Sequence, residues 1–179
     1  LLAVLTDALA EWQGATGTEP VPAPPMQPAE TGWLLVPRPN SVQSHLMLGA
    51  LCPPRDAPDS LALQLAVSVL GSGASSRLFL TVREQYGYAY SVGAHLDYYL
   101  RVSAFVAEAQ TATENTHDAI RQIRAEVERL ISEPIPADEL QATQNYMIGR
   151  HMLGRITLGG VADLYKQAVI YGLPLDYWQ

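Results

Sequence analysis

Four histidines, His45, His95, His117 and His151, are the side chains of this chain best suited to hold a catalytic metal. A zinc centre that activates water needs two imidazoles on one helical face with a carboxylate beside them as base, which in sequence reads His-x-x-Glu-His or its inverse. No two of the four stand at such a spacing, so each reads as an ordinary polar or packing residue, and no metal is expected in this chain. Ser72, Ser75 and Ser76 cluster in a glycine-rich run, but the Gly-x-Ser-x-Gly elbow of a serine nucleophile is absent. Ser76 reads instead as the cap of a short helix after it. The run also lacks Gly-x-x-x-x-Gly-Lys-Ser/Thr, which argues against a phosphate-cradling loop. Asp138 and Glu139, adjacent in an expected helical first turn, point in different directions and do not make an acid and base pair. No catalytic residue is therefore assigned to this chain.

The polar chemistry that remains lies in one run, Leu70 to Val92, where a glycine-rich loop, a short amphipathic segment and an aromatic strand follow in succession. Gly71 and Gly73 would let the backbone approach a ligand, and a helix-ending loop needs glycine just as often. Arg83 can pair with a carboxylate at the helix surface. Tyr88 can donate from its phenol to a developing oxyanion, or pack across strands as aromatics do, and Tyr90 is a further polar residue on the same face of the strand.

Elements on both sides must position this run. Leu2, Leu5 and Leu9 predict a helix over 1–12, and prolines at 20, 22, 24, 25 and 28 favour an extended linker over 13–32. A domain over 33–179 follows. Residues 33–36 read as a strand, and alternation from Val42 to Ala50 as a second one, apolar on both faces and hence expected to be central. Leu61, Leu65 and Val69 share a helical face that ends at Gly71, with Asp59 or Ser60 as its cap. Alternation over 88–96 and 100–109 predicts a hairpin turning through Asp97 to Tyr99. Ile120, Ile123, Val127, Leu130 and Ile131 follow the helical period, with Arg121, Arg124, Glu126, Glu128 and Arg129 expected on the solvated face. Pro136, Asp138 and Glu139 suit the first turn of a further helix, and a last one over 158–171 stops at Gly172. An antiparallel run of strands followed by helices makes the fold α+β, with the helices covering one sheet face.

Taken in order, Leu70-Gly71-Ser72-Gly73, Ser76-Arg77-Leu78-Phe79, Arg83-Glu84 and Gly87-Tyr88-Ala89-Tyr90-Ser91-Val92 resemble the pitrilysin/insulinase family of zinc peptidases, which includes the mitochondrial processing peptidase. Upstream, Arg38-Pro39-Asn40-Ser41-Val42-Gln43 resembles the family's Arg-Pro-Gly-x-x-Gln strand entry, with Asn40 where glycine is usual. Downstream, Ile135 to Leu140 is similar to the start of a late helix. The likeness spans roughly Trp33 to Arg155 and falls on the half of the fold that follows the metal site. It implies the LuxS/MPP-like metallohydrolase fold and a non-catalytic domain that encloses a peptide substrate. Zinc would be held by another part of the full-length protein or by a partner subunit, as a second family half in a homo- or heterodimer. It also implies that an arginine and a tyrosine of this half reach the substrate at the partner's zinc. Tyr88 matches that tyrosine, the arginine position falls on Thr81, and Arg83 lies two residues later. Tyr90, Gly71 and Gly73 complete the implied substrate-facing set. The same family supplies scaffold subunits without a zinc motif, so a structural or assembly role is the alternative.

Composition narrows the partners. The 179 residues carry a net charge of −7 and include 48% hydrophobic side chains, enough for one sizeable core. Eleven Lys and Arg against 18 acidic residues, with Lys166 the single lysine, exclude a nucleic-acid partner. Cys52 alone cannot form an internal disulfide and reads as a small packed hydrophobe. No apolar run is long enough to cross a bilayer, so no membrane partner is expected. Low lysine with abundant alanine and proline suggests a bacterial source, cytoplasmic or periplasmic, with the cytoplasm favoured.

Overall fold

The computed structural model describes residues 2–11, 30–174 and 176–177. The chain divides into two compact units, residues 1–34 and 35–179. In the first, helix α1 spans Leu2–Ala8, and the Leu9 amide continues its last turn to the Leu5 carbonyl. The expected linker, apart from its last three residues, lies outside the described residues.

The second unit is built on three strands, β1 (Gln43–Cys52), β2 (Ala89–Tyr98) and β3 (Ser103–Ala112), in the order β1-β3-β2 and antiparallel throughout. Its helices are α2 (Ser60–Gly71), α3 (Thr116–Ser132), α4 (Ala137–Gly154) and α5 (Leu158–Tyr171), with a π-helical segment over Phe79–Gln85. This is the α+β class expected, and the β2–β3 hairpin forms, but its turn lies over 99–102 rather than Asp97 to Tyr99: Asp97 and Tyr98 still pair with Ala104 and Ser103, and the Tyr99 amide donates to the Val102 carbonyl. The α5 boundaries match their signals: the Thr157 side chain caps the Gly160 amide at 3.0 Å, and Gly172 takes the left-handed conformation at φ 64°. Asn40 is also left-handed, at φ 66°. Asparagine is one of the few side chains that tolerate this region, which is why it can stand where glycine is usual.

Four expectations are corrected here. β1 is an edge strand, not the central one; its apolar outward residue Met47 remains 73% exposed, so the two-faced apolar pattern marked no second neighbour. Residues 33–36 form no strand, since among the described residues none of them joins the ladder that defines one. Pro136 is the N-cap of α4 rather than a first-turn residue. Glu126 is buried, 7% exposed, because it lies three residues beyond fully buried Ile123 on the inward stripe of α3.

Helices α2 and α3 cover one face of the sheet, and the core between them is made of small residues below and larger ones above. Ala94, Ala107 and Ala109 form the sheet floor, while Leu70, Leu78, Val82 and Ile123 are completely buried over it. The short floor side chains let helix backbones come close. At the C-terminus of α2, Gly71 lies directly on β2, where a Cβ would stand 2.0 Å from the Ala94 nitrogen.

A second cluster sits at the far end of β2. The Arg55 guanidinium lies 4.1 Å over the Tyr98 ring and 5.6 Å from that of Tyr171, whose hydroxyl donates to the Tyr98 carbonyl at 3.0 Å. Burial raises the Tyr98 hydroxyl above its ordinary 10.0, with Arg55 opposing. The folded chain thus keeps this proton to higher pH than the unfolded chain. The resulting stability is complete below the unfolded value and is lost as pH rises through the folded one. Stability measured by urea unfolding from about pH 9 to about pH 11 should decline less steeply in Tyr98→Phe than in the parent. Parallel declines in the two would contradict this assignment.

Candidate functional site

The run from Gly71 to Tyr90 leaves α2, turns over α4, makes the π-helical segment and enters β2. Ser72 closes α2 by donating its amide to the Ser68 carbonyl at 3.0 Å. Gly73 follows at φ 87°, with the Tyr146 ring of α4 beneath it, 3.1 Å from where a Cβ would be. Both candidate glycines therefore have a packing requirement: close contact at Gly71, and left-handed backbone over an aromatic at Gly73. Ser76 is not a helix cap as expected; it is buried, and its hydroxyl donates back to the Gly73 carbonyl at 2.8 Å. Arg77 then fixes the loop to α4 by a bidentate pair with Glu139, at 2.8 and 2.7 Å.

Beyond Arg77 the chain adopts the wider π turn. The Tyr86 amide reaches back to the Thr81 carbonyl, and the Tyr88 amide to that of Val82 at 2.9 Å. Gly87, at φ 64°, reverses the chain into β2. This geometry places Val82 in the core and Arg83 on the outer surface. The Arg83 guanidinium lies 4.7 Å over the Phe79 ring and 5.4 Å from that of Tyr90. Its carboxylate contact is a 3.5 Å pair with neighbouring Glu84, between side chains that are both substantially exposed. Such a pair holds the guanidinium weakly, and the aromatic faces set its plane.

The structure thus brings together Arg83 and Tyr90, two of the expected site residues. Tyr90 is 79% exposed and occupies the irregular pairing position between Ala89 and Ser91. Tyr88 is placed differently: half-buried, it stacks on Tyr86 at 5.2 Å between centroids with planes 5° apart. Its carbonyl accepts from the Thr111 hydroxyl. The Tyr88 hydroxyl makes no hydrogen bond among the described residues. Gly71 and Gly73 form the turn that anchors the segment. Thr81 points away from this surface, its hydroxyl donating to buried Glu126 at 2.9 Å. Glu126 in turn pairs with Arg129 at 3.7 Å.

Sequence reasoning missed Phe79 and Tyr86, the ring partners of Arg83 and Tyr88. The signal was present: Phe79 precedes Arg83 by four residues, a same-face spacing on a helix. The histidines are scattered. His95 lies 3.5 Å from Asp97, and His117, on the surface, 3.9 Å from Asp118. Among the described residues no three His, Cys, Asp or Glu side chains are placed to hold a metal ion, so these residues supply no zinc site.

The chain is thus an α+β domain, an antiparallel sheet covered on one face by helices, with an aromatic and arginine surface at Phe79, Arg83 and Tyr90. The family model for the peptidase M16 inactive domain matches residues 1–147, and the chain belongs to that family. It is 30% identical over 121 residues to an uncharacterized zinc protease of Streptomyces coelicolor, an alignment covering 68% of this chain and 26% of the relative. An uncharacterized zinc protease of Mycobacterium tuberculosis is 33% identical over 115 residues, covering 64% and 26%. The crystal structure of a peptidase M16 inactive domain from Pseudomonas fluorescens superposes with a TM-score of 0.70 at 25% identity, over 76% of this chain and 33% of that one. The chain spans about a quarter of the length of the curated relatives it matches.

Proposed function

We propose that this chain is a wall of a two-domain zinc peptidase, enclosing and positioning a peptide whose scissile bond is cut at a metal held by another segment or subunit. The peptide would lie as an added strand, its backbone supplying most of the affinity. The observation carrying this reading is the outward Arg83, held in plane by Phe79 and Tyr90, within a π turn whose other side is locked into the core. The names of the relatives as zinc proteases support the reaction class. Tyr88 is assigned the donor to the developing oxyanion, and Arg83 and Tyr90 the hold on the substrate backbone. Gly71 and Gly73 shape the loop, with residues 33–179 as the working domain. Zinc and the general base come from elsewhere.

The test is zinc content and peptide hydrolysis of the full-length parent beside its Tyr88→Phe variant. Stoichiometric zinc is expected, with kcat falling roughly 100-fold in the variant, as for loss of one oxyanion donor, and KM little changed. The isolated chain supplied with zinc should hydrolyse nothing. Unchanged kcat in a folded variant would remove Tyr88 from the chemistry. A parent with neither zinc nor activity, alone or with a co-encoded partner, would leave the scaffold role.

A further inference from the structure

Tyr86 and Tyr88 are not placed as strand neighbours. Side chains two residues apart in a strand leave the backbone roughly 7 Å apart. Here the ring centroids are 5.2 Å apart with planes 5° from parallel, because Gly87 between them turns the chain at φ 64°. Tyr88 is held on three sides. Its amide donates to the Val82 carbonyl at 2.9 Å, its carbonyl accepts from the Thr111 hydroxyl, and its ring lies flat on that of Tyr86. Val82 and Thr111 are both buried, so the two backbone anchors belong to the interior. Tyr86 differs in kind: it is 43% exposed and stands outside the core cluster that Tyr88 joins. The ring contact it makes among the described residues is the one to Tyr88.

We infer that Tyr86 is a positioning residue for Tyr88, setting the plane of its ring and so the direction of its phenolic O–H before a substrate arrives. This role rests on the proposed use of Tyr88 as donor to the developing oxyanion. A donor lowers the barrier to the extent that it is aimed when the charge develops, since turning at that moment takes back part of the gain. The anchors at Val82 and Thr111 fix the Tyr88 backbone but neither of its two side-chain torsions. A parallel ring restricts both, because swinging or tilting Tyr88 breaks the face contact. The phenolic O–H prefers the plane of its own ring, so the plane that Tyr86 sets is the plane of donation. What Tyr86 supplies is therefore a flat face. Its hydroxyl is dispensable, and an aliphatic side chain would fill the space without defining a plane.

The test is a double-mutant cycle in the full-length parent. Tyr86→Leu should lower kcat roughly tenfold, the upper end for loss of one ring pair, with KM little changed. Tyr86→Phe should keep the parent's kcat. In the Tyr88→Phe background Tyr86→Leu should lower kcat no further, because it acts through the hydroxyl already removed. The thermal midpoint of Tyr86→Leu should stay near the parent's, as Tyr86 is exposed. With fluorotyrosine incorporated, the Tyr88 fluorine resonance, identified by its loss in Tyr88→Phe, should move in Tyr86→Leu and stay close to the parent's in Tyr86→Phe. Parent-like kcat in Tyr86→Leu, an equal fall in both backgrounds, or a fall in Tyr86→Phe overturns the positioning role and leaves Tyr88 as the donor. An unmoved resonance overturns it whether or not the parent is active. Unchanged kcat in Tyr88→Phe, or an inactive parent, overturns the donor role of Tyr88 itself and the positioning role with it.

Discussion

Gly71→Ala should cost the domain about 3 kcal/mol or more, a large part of the ~5–15 kcal/mol that holds a typical domain together. The added methyl would lie 2.0 Å from the Ala94 nitrogen, 2.5 Å from its Cβ and 2.6 Å from its Cα. Two of these three atoms are backbone of a paired strand and cannot swing away as the end of a flexible side chain would. The strand has no slack either, since a Cβ on Gly93 would lie 3.1 Å from the Gly71 carbonyl oxygen. Relief requires α2 to lift from the sheet, opening the core around Val67 and Leu70. Gly149→Ala is the control. That glycine lies inside α4 with nothing within 4 Å of where a methyl would stand, so alanine there should stabilise by about 0.5–1 kcal/mol. Urea midpoints should move in opposite directions; a Gly71→Ala midpoint equal to the parent's would refute the close-contact account.

Glu139→Gln should destabilise by about 3 kcal/mol, the lower end of what breaking a buried ion pair costs. Arg77 is only 5% exposed and makes both its charge-assisted bonds to this one carboxylate. It cannot escape by deprotonating in the variant, because a guanidinium holds its proton at any ordinary pH even without the bond to Glu139 that raises its pKa further in the parent. Its third nitrogen is buried with no hydrogen-bond partner among the described residues, so the site has no reserve. Glutamine keeps the shape and one acceptor but leaves the charge uncompensated. The double replacement Arg77→Met with Glu139→Leu should recover most of the loss, since apolar pairs of similar volume often match buried ion pairs. Additive losses in the double variant would show that the two residues act separately.

Much of the fold was legible because its signals are local. The stripe Ile123, Val127 and Leu130, the Gly172 stop of α5 and the hairpin after Tyr98 each depend on residues within a turn or two of one another. What was not legible depends on who the neighbours are. β1 looks central from its own residues, and only the ladder reveals that it has one partner. Glu126 looks solvated among Arg124, Glu128 and Arg129, and only the phase set by Ile123 turns it inward onto Thr81. The candidate site divides the same way. Arg83 and Tyr90 were named from a contiguous motif. The seat of Arg83 on Phe79 was readable from their four-residue spacing, whereas the bidentate hold of Arg77 on Glu139, 62 residues away, arises from tertiary placement.

The π turn over Phe79–Gln85 carries a consequence for comparing this chain with its relatives. One extra residue in a helical turn rotates every later side chain by about 100° relative to a regular helix. Counting positions back from Tyr88 therefore does not conserve direction: Thr81, reached by counting, faces the core, and Arg83 faces outward. Equivalence across this segment is a matter of angle rather than of alignment column. Two homologues can hold an arginine at the same point in space while no gap-free pairing of their residues places it there.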